Sequence, residues 1–315
     1  MNRAGVVIVT HDSAGHIGAC LEALATRCEE VVVVDNASRD TTCDQVRKHP
    51  RARLIVNERN LGFAAAVNQG VRALRSEFVL MMNPDVELMT GVEALVDACA
   101  RPGVAAASGK LVDAAGAPQT GFFLRRFPTA WTLVFEALGW NRIWPGNPVS
   151  RRYRCLDRDP EEAGEVEQPA GAFLMFRRQA WEAAGGLDEG FHPVWFEDVD
   201  FLLRLKRGGY SVRYVPAVVA RHGGGHSVGK LLWSKRQLYW YSSLLRYTAK
   251  HFGPIQRAGI CAAVVAGALA RLATGIWTER SLRPVAVCGK VVRLASRCLV
   301  SDRFAHGEGW TPTAE

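Results

Sequence analysis

Short apolar runs alternate with helix-like patterns over the first third of the chain. Residues 6–9 and 31–34 are continuous β-branched runs, which are typical of strands buried on both faces. Three more strands are predicted at 53–56, 77–82 and 104–107, with helices at about 14–26, 40–48, 62–74 and 90–100. This alternation indicates βαβ units, so we predict an α/β fold with a mostly parallel central sheet flanked by helices.

Polar residues follow four of these predicted strands. They occupy positions 10–12, 35–36, 57–60 and 83–85. In an open parallel sheet, ligands bind just outside the carboxyl ends of the strands. The four clusters therefore predict a single ligand site at one edge of the sheet.

The pattern changes after residue 108. Residues 109–165 are rich in Pro, Gly and aromatic side chains, and we expect loops and a short helix there that cover the site. The elements predicted beyond them are a strand at 166–176, helices at 178–184 and 197–206, a strand at 210–219 and a long basic helix near 228–250. We therefore expect a main α/β domain over residues 1–227, a helical extension over 228–303 and a flexible tail over 304–315.

Positive charge is concentrated in the helical extension. The chain carries a net charge of +8, yet residues 230–303 hold thirteen Lys and Arg against two acids, Glu279 and Asp302. Such a local excess predicts a local partner, an anionic membrane surface, rather than nucleic acid. Residues 259–277 are apolar apart from Arg271, and a central Arg costs about 2.5 to 3.5 kcal/mol on an insertion scale. We favour an interfacial helix there over core packing, and both over a membrane span.

Cysteine usage and the first residues bear on the compartment. The eight cysteines form no C-x-x-C pair and no cluster with histidine, so neither a zinc site nor a disulfide framework is predicted. Residues 1–12 lead directly into a strand without a secretion signal. We expect reduced thiols and a cytoplasmic location at the inner face of the cell membrane.

Two stretches could contact a nucleotide. Asp35 follows a buried strand, where it could accept hydrogen bonds from a base or ribose, while the alternative is helix capping, for which Ser38 and Asp40 are better placed. Gly62 and the small residues after it would allow a ligand to approach the backbone. No G-x-G-x-x-G follows the first strand, which weighs against an NAD enzyme.

Two acidic clusters could carry chemistry. The Asn83-Pro84-Asp85 stretch ends a strand and offers oxygen ligands for Mg²⁺ or Mn²⁺, or it is an Asx-type turn. The acids at 197, 198 and 200 begin a predicted helix, where the macrodipole favours them, or they include a general base of raised pKa. The HGGGHS stretch at 222–227 is either a turn or a phosphate or metal ligand.

The order of these motifs resembles a known family. The chain contains, in this order along residues 4–250, the motifs VVIVTHDSAGHIGACLEAL, VVVVDNASRD, NLGFAAAVNQG, MMNPDVEL, GAFLMFRRQAW, GGLDEGF, WFEDVDFLLRLKRGGY and HGGGHS. Together they look like the inverting glycosyltransferases of family two, and most closely the rhamnosyltransferase branch. The resemblance implies a GT-A nucleotide-diphospho-sugar transferase fold and a divalent metal, Mg²⁺ or Mn²⁺.

The resemblance also implies a nucleotide-sugar pocket. Its residues in this chain would be Thr10, Asp12, Asp35, Asn36, Asn60, Gly62, Phe63, Asn68 and Asn83. His11 and Asp12 stand where the family usually has Tyr-Asn, which leaves the nucleobase open.

The remaining implied roles concern metal and catalysis. Asp85, with Asn83 beside it, corresponds to the metal-binding D-x-D motif, whose first aspartate is replaced here. His222 corresponds to a ligand of the metal or diphosphate. Glu197 and Asp198 correspond to the catalytic acidic pair, with Asp198 as the base.

The implied reaction moves a sugar from a nucleotide-sugar donor to a hydroxyl of a polysaccharide or a polyprenyl-diphosphate-linked glycan in cell-envelope synthesis. The branch suggests L-rhamnose from dTDP-L-rhamnose, with a UDP-sugar as the alternative. A sugar-phosphate nucleotidyltransferase of related fold is a further alternative, although residues 10–20 lack the Lys or Arg expected for gripping a triphosphate.

Overall fold

The computed structural model describes residues 4–25, 27–28, 30–224 and 231–300. The chain separates into two compact units. The sheet unit consists of Met1–Phe127, Arg154–Asp188 and Asp198–Ser227. The helical unit consists of Pro128–Tyr153, Glu189–Glu197 and Val228–Glu315.

The strands belong to the sheet unit. In chain order they are β1 (Ala4–Thr10), β2 (Glu30–Asp35), β3 (Ala52–Val56), β4 (Phe78–Met82), β5 (Val86–Leu88), β6 (Val104–Val112), β7 (Leu124–Arg125), β8 (Gly164–Val166), β9 (Gln168–Pro169), β10 (Phe173–Arg177) and β11 (Ser211–His222). Within the described residues, nine of them form one sheet in the order β3-β2-β1-β4-β10-β6-β11-β5, with β8 also paired to β11. β7 and β9 form a separate two-stranded sheet.

The large sheet is parallel on one side and mixed on the other. β3, β2, β1 and β4 are parallel neighbours. β10 lies antiparallel between β4 and β6, and β5 and β8 run antiparallel to β11. The α/β class predicted from the sequence is confirmed, and the antiparallel strands are those that follow a short link or the irregular segment rather than a crossover helix.

Helices surround the sheet and make up the helical unit. In chain order they are α1 (Ile17–Leu24), α2 (Thr42–Arg47), α3 (Phe63–Ala73), α4 (Glu93–Ala100), α5 (Ala130–Leu138), α6 (Trp140–Ile143), α7 (Pro148–Tyr153), α8 (Arg178–Ala183), α9 (Glu197–Arg207), α10 (Trp233–His251), α11 (Pro254–Ala270), α12 (Leu272–Glu279) and α13 (Arg283–Val300). The helical extension predicted from the sequence is thus present as α10 to α13. The predicted tail at 304–315 lies outside the described residues.

The core of the sheet unit follows from the β-branched runs. Every residue of β1 and of β4 is buried, as expected for central strands covered on both faces. α3 lies close to this sheet at Gly70, where an added Cβ would be 2.6 Å from a methyl of Val7 and 3.2 Å from a methyl of Val34. Glycine is therefore required at this contact between helix and sheet.

The middle of the chain differs from its prediction. β6 extends to Val112, and residues 128–153 form three helices instead of loops with one short helix. These helices belong to the helical unit, as does 189–197, so the unit boundary differs from the one predicted at 227. The reason is packing: α5 contacts α11 so closely that a Cβ on Gly267 would be 1.9 Å from the carbonyl oxygen of Ala137.

Arg271 ties α5 to the end of α11. Its guanidinium donates hydrogen bonds to the carbonyl oxygens of Ala137 at 2.5 Å and Glu136 at 3.2 Å, and its ring neighbour is Tyr241. These are carbonyls of the last turn of α5, where intrahelical donors run out; that of Glu136 also accepts from the Gly139 amide at 3.2 Å. The one charge in the apolar stretch 259–277 therefore serves as a helix C-cap.

Length and apolarity decide whether a helix can cross a bilayer. Among the described helices none is by itself both long and apolar enough to cross a bilayer. α11 and α12 meet that criterion only when taken together, with a bend of 41° between them.

Two Gly→Ala substitutions should have opposite effects on stability. Gly70→Ala should destabilise the protein by about 1–3 kcal/mol, because the new methyl overpacks the contact with Val7 and Val34. Gly18→Ala, in α1 with open space around its Cβ position, should stabilise it by about 0.4–1 kcal/mol. Thermal unfolding followed by circular dichroism measures both. Equal melting temperatures for the two variants would contradict this account of the α3 contact.

Candidate active site

Asp85 lies where β4 gives way to β5. The strand ends at Met82, and the three-residue link 83–85 leads into β5. β5 pairs with β11 so that Val86 is opposite His222, and the amide of Gly223 donates to the carbonyl oxygen of Asp85 at 2.9 Å. This pairing brings the Asp85 carboxylate to 3.7 Å from Nε2 of His222, and both side chains are buried.

The His222 ring is fixed by two residues of the irregular segment. The amide nitrogen of Gln119 donates to the His222 carbonyl oxygen at 2.9 Å, and the amide oxygen of Gln119 lies 2.9 Å from Nδ1 of the ring. Because a carbonyl can only accept, the amide orientation is determined, and Nδ1 carries the proton. Phe122 stacks on the ring with centroids 4.9 Å apart. His222 therefore presents the lone pair of Nε2 towards Asp85.

The Asp85 and His222 pair suits a divalent cation whose other ligands come from a substrate. A separation of 3.7 Å is too long for a hydrogen bond, whereas two ligands about 2.1 Å from one ion are at most about 4.2 Å apart. In the described ranges of the chain, no group of three or more His, Cys, Asp or Glu side chains could hold a metal ion. Mg²⁺ is commonly bound by one or two carboxylates together with substrate phosphates, so two protein ligands are compatible with it.

Asp35 lies at the end of β2 beside the end of β1. Its carboxylate accepts hydrogen bonds from Thr10 Oγ1 at 2.8 Å and from both the amide and the hydroxyl of Ser38 at 2.9 and 2.5 Å. The Asp35 side chain has no exposed surface. Thr10 is buried as well, so these two residues shape the strand ends from within.

Hydrogen bonds join the loop after β1 to the loop after β2. The carboxylate of Asp12 accepts from the Arg39 amide at 2.7 Å, and the Asp12 amide donates to the Ser38 hydroxyl at 2.9 Å. Asp12 is partly exposed and has a φ of 52°, in the left-handed region that only a few non-glycine residues adopt. Asn36 is buried and bonds to Gly62 and Asn57. Of the residues predicted to contact the nucleotide at the ends of β1 and β2, Thr10, Asp35 and Asn36 are buried, whereas Asp12 has a surface that a ligand can reach.

The start of α3 forms the next part of the edge. The exposed Asn60 accepts from the Gly62 amide at 2.8 Å, and Gly62 has a φ of 85° immediately before Phe63. Asn68, also predicted to contact the nucleotide sugar, is buried, and its amide bonds on both sides to the backbone of Leu187 at 2.8 and 2.9 Å. The structure therefore favours a structural role for Asn68, joining α3 to the segment before 188.

Asp198 lies at the same end of the sheet as Asp85. Met82 pairs with Phe173 of β10, and the Asn83 amide donates to the Ala172 carbonyl oxygen at 3.0 Å. The amide of the adjoining Gly171 donates to the Asp198 carboxylate at 2.9 Å. The link that carries Asp85 and the carboxylate of Asp198 thus bond to two adjacent residues, Ala172 and Gly171, just before β10.

The surroundings of Asp198 change its acidity. Burial in the protein raises the pKa of Asp198, and hydrogen bonds from the amides of Gly171 and Val199, together with the positive charge of Arg125, oppose that rise in part. A Cβ on Gly171 would lie 2.9 Å from that of Asp198, so only glycine fits there. A carboxylate of raised pKa is suited to accepting a proton.

The two neighbouring acids differ from Asp198. Asp200 is fully buried and forms a salt bridge with Arg204 at 2.8 Å, and Arg204 also donates to the carbonyl oxygen of Gly186. Asp200 is therefore a structural anchor of α9. Glu197 is buried at the first position of this helix, directly after Trp195 and Phe196, whose φ values of 81° and 70° are strained for aromatic residues.

This geometry can be compared with known proteins. The family model described as "Glycosyl transferase family 2" matches residues 5–182, more than half of the chain. The chain belongs to glycosyl transferase family 2. It is accordingly a glycosyltransferase, as predicted, and the alternative of a sugar-phosphate nucleotidyltransferase is set aside.

Relatives within family 2 place the chain near its rhamnosyltransferases. It is 30% identical over 278 residues to the N-acetylglucosaminyl-diphospho-decaprenol L-rhamnosyltransferase of Mycobacterium tuberculosis, covering 78% of this chain and 88% of that protein. It is 23% identical over 263 residues to Rhamnosyltransferase WbbL of Escherichia coli, covering 78% and 92%. The predicted resemblance to this branch of family 2 is confirmed.

Solved structures agree on the fold. The mannosyltransferase PcManGT from Pyrobaculum calidifontis, in complex with GDP-Man and Mn²⁺, superposes with a TM-score of 0.53 at 19% identity and covers 97% of this chain and 85% of that one. GalNAc-T7 with UDP, GalNAc and Mn²⁺ has a TM-score of 0.53 at 14% identity, covering 77% and 50%. The GT-A fold predicted for this family 2 chain is thereby confirmed.

Sequence reasoning missed four residues that shape the site. Ser38 is predicted only as a helix cap, Gly171 occurs in the motif GAFLMFRRQAW without an assigned role, and Gln119 and Phe122 have no predicted role. Gln119 is separated by 103 positions from the histidine it orients, and no local pattern links them. Gly171 carries a weak signal, since a Gly between Ala residues directly before an apolar strand marks a close approach. The second histidine of the HGGGHS stretch, His226, lies outside the described residues.

The role of Gln119 can be tested directly. Gln119→Leu should release the His222 ring and weaken Mn²⁺ affinity about 10–100-fold, the usual effect of removing a partner that orients a ligating histidine. Gln119→Glu keeps an oxygen facing Nδ1 and should bind Mn²⁺ within a few-fold of the wild type. Electron paramagnetic resonance of free Mn²⁺ measures the affinity, and ¹⁵N shifts of the His222 ring report which nitrogen carries the proton. A ring protonated at Nε2 in the wild type would contradict the assignment.

Proposed function

We propose that this protein is an inverting glycosyltransferase that moves L-rhamnose from dTDP-L-rhamnose to a hydroxyl of a lipid-linked glycan during cell-envelope synthesis. The chemistry of transfer is supported by one observation above all: the link that carries Asp85 and the carboxylate of Asp198 bond to the adjacent residues Ala172 and Gly171 at the start of β10. A single displacement needs one group at the leaving diphosphate and another at the attacking hydroxyl, and these two carboxylates are the candidates.

The donor would occupy the edge formed by the ends of β1, β2 and β4 and the start of α3. Asp12 and Asn60 offer polar groups at the surface of this edge, and Gly62 allows close approach to the backbone. Asp35, Thr10 and Asn36 would hold the strand ends in position from below. The nucleobase and the ribose of the donor would contact these loops.

Asp85 and His222 would hold Mg²⁺ or Mn²⁺, with Asn83 beside them. When bound, such an ion neutralises charge on the departing diphosphate. Gln119 and Phe122 keep the His222 ring in the orientation that binding needs. Asp85 alone would repel a diphosphate, and a bound divalent cation would offset that repulsion.

Asp198 would remove the proton from the acceptor hydroxyl. Its raised pKa improves it as a base compared with an ordinary carboxylate. The hydrogen bonds from Gly171 and Val199 fix the carboxylate in one orientation. Attack from the face opposite the leaving group then inverts the anomeric carbon. Glu197, next to it in the chain, is proposed as the second member of the acidic pair.

The identities of donor and acceptor are proposed from the relatives. The M. tuberculosis relative is named for L-rhamnose transfer to N-acetylglucosaminyl-diphospho-decaprenol, and the E. coli relative is a rhamnosyltransferase. A polyprenyl-diphosphate-linked acceptor would be presented at the cytoplasmic face of the cell membrane. The basic helical unit is compatible with association at that surface.

Asp198→Asn should separate catalysis from donor binding. Removing the base should lower turnover about 10²–10⁴-fold, whereas the dissociation constant for the nucleotide sugar should stay within a few-fold. Transfer assays and calorimetric titration of the donor measure the two quantities. Asp200→Asn is the matched comparison, because loss of its salt bridge with Arg204 should lower the melting temperature more than the turnover of the folded enzyme.

The pH profile gives a second measurement of the same role. The base acts only when deprotonated, so activity should rise with pH through the pKa of Asp198, which burial raises above the value of about 3.9 for an ordinary Asp. This limb should vanish in the residual activity of Asp198→Asn. If the variant lost donor affinity and turnover equally, Asp198 would be a structural residue and not the base.

A panel of activated sugars tests the donor. Release of nucleoside diphosphate should be fastest with dTDP-L-rhamnose, and chelation of divalent cations with EDTA should abolish it until Mg²⁺ or Mn²⁺ is restored. UDP-glucose, UDP-N-acetylglucosamine and GDP-mannose serve as comparisons. Preferential turnover of a UDP-sugar would replace rhamnose in this proposal, and full activity in EDTA would remove the metal.

A further inference from the structure

Exposed tryptophans distinguish the helical unit from the sheet unit. Trp131, Trp140, Trp144 and Trp277 are exposed, with Trp277 at 82%, and all four lie in the helical unit. Among the residues that the structure describes, the sheet unit has no tryptophan exposed to this degree. Large aromatic side chains on a water-facing surface indicate a partner that can receive them.

Trp140, Trp144 and Trp277 belong to two chain segments that both start beside Arg271. Arg271 holds the last turn of α5, and its guanidinium lies so near Gly139 that a Cβ there would be 2.8 Å away. The exposed segment 140–146, which we call the tip, starts at the next residue and carries Trp140 and Trp144. Arg271 is also the link between α11 and α12, and Trp277 is six residues further along α12. The start of the tip and the link between α11 and α12 therefore lie next to each other.

The outer face of α11 is apolar. The exposed positions Ile255, Ala258, Ala262, Ala266 and Leu269 recur every three or four residues and so form a single face. The opposite face packs inside the helical unit against α5 and α13. A helix on a water-exposed surface normally carries charged residues on its outer face, and this one carries none along that line. The outer face of α11 therefore differs from the usual water-facing surface of a helix.

The charge around this apolar surface identifies its partner. Residues 231–300 contain eleven Lys and Arg and one acid, Glu279, whose carboxylate accepts hydrogen bonds from the amide and hydroxyl of Ser234. Arg142 lies in the tip, and Arg280 and Arg283 follow Trp277; all three are exposed. A second copy of the chain would bring two strongly positive surfaces together. An anionic bilayer instead offers opposite charge to the arginines and an interfacial layer to the tryptophans.

We propose that the tip and the outer face of α11 and α12 insert into the interfacial layer of an anionic lipid bilayer, with Trp140, Trp144 and Trp277 as the anchoring side chains. The surface thus combines a segment from the middle of the chain with the C-terminal helices. This proposal deepens the proposed function, on which it rests, because a polyprenyl-linked acceptor presents its sugar at that same layer.

Vesicle binding tests the anchors. The full chain should bind and float with vesicles of 70% phosphatidylcholine and 30% phosphatidylglycerol. The triple variant Trp140→Ser, Trp144→Ser, Trp277→Ser should bind them at least about tenfold more weakly, since it loses the aromatic insertion while keeping every basic residue. The corresponding triple Trp→Phe variant should bind within about threefold of wild type. Quenching of tryptophan fluorescence by brominated lipid should be strong in the wild type and much weaker in this Phe variant.

Controls separate insertion from unfolding and from general surface apolarity. Trp140 packs near Phe135, so melting temperatures are compared, and Trp277→Ser alone, at an exposed helix position, should still weaken binding measurably. Met89→Ser changes an exposed apolar residue of the sheet unit and should leave binding unchanged. Wild-type binding by the triple Ser variant, equal loss in Met89→Ser, or no binding by the wild type would each overturn the proposal. So would an effect on self-association in sedimentation with vesicle binding intact.

The same protein preparations separate the proposed bilayer binding from the proposed transferase reaction. The assay contains no sugar, and donor affinity is titrated separately on each variant. Loss of vesicle binding with donor affinity intact is the expected result for the triple Ser variant. A wild-type protein that binds vesicles but no nucleotide sugar would refute the proposed transferase reaction and leave the bilayer surface standing.

Discussion

The site depends on the antiparallel register of β10 against β4. With Met82 opposite Phe173, the link after β4 lies beside Ala172 and Gly171. Gly171 has no side chain, and only for that reason can Asp198 approach its amide. A shift of one residue would turn every side chain of β10 to the other face and would replace Gly171 by a residue with a Cβ at this contact. The register therefore keeps the link that carries Asp85 and the Asp198 carboxylate on adjacent residues of the segment before β10.

A second constraint acts within the helical unit. The carbonyls at the end of α5 need donors, and Arg271 supplies them from the junction of α11 and α12. In the sequence this arginine argues against a membrane span over residues 259–277. In the structure its charge is used at the end of α5, and the exposed line from Ile255 to Leu269 on α11 carries no charge. One side chain thereby reconciles packing of α5 with an outer face suited to lipid.

Much of the fold could be predicted because its signals are local. Continuous β-branched runs mark strands covered on both sides, and polar residues at their ends mark the edge where a ligand binds. The position of Asp85 followed from that rule. The orientation of His222 by Gln119 could not be predicted, since those residues meet only through tertiary packing. Asn68 shows another limit of prediction from sequence: its residue type suits a ligand contact, and nothing local indicates that its amide bonds to the Leu187 backbone.

The chain also divides its chemistry along its length. The segment that matches glycosyl transferase family 2, residues 5–182, contains Asp85 and the whole proposed donor edge. Asp198, His222 and the helices α10 to α13 lie beyond it. β11 places His222 next to Asp85. The later part of the chain therefore completes a site that the earlier part begins. The proposed base and the proposed bilayer surface lie outside the segment that matches the family, so they are separate along the chain from the proposed donor edge.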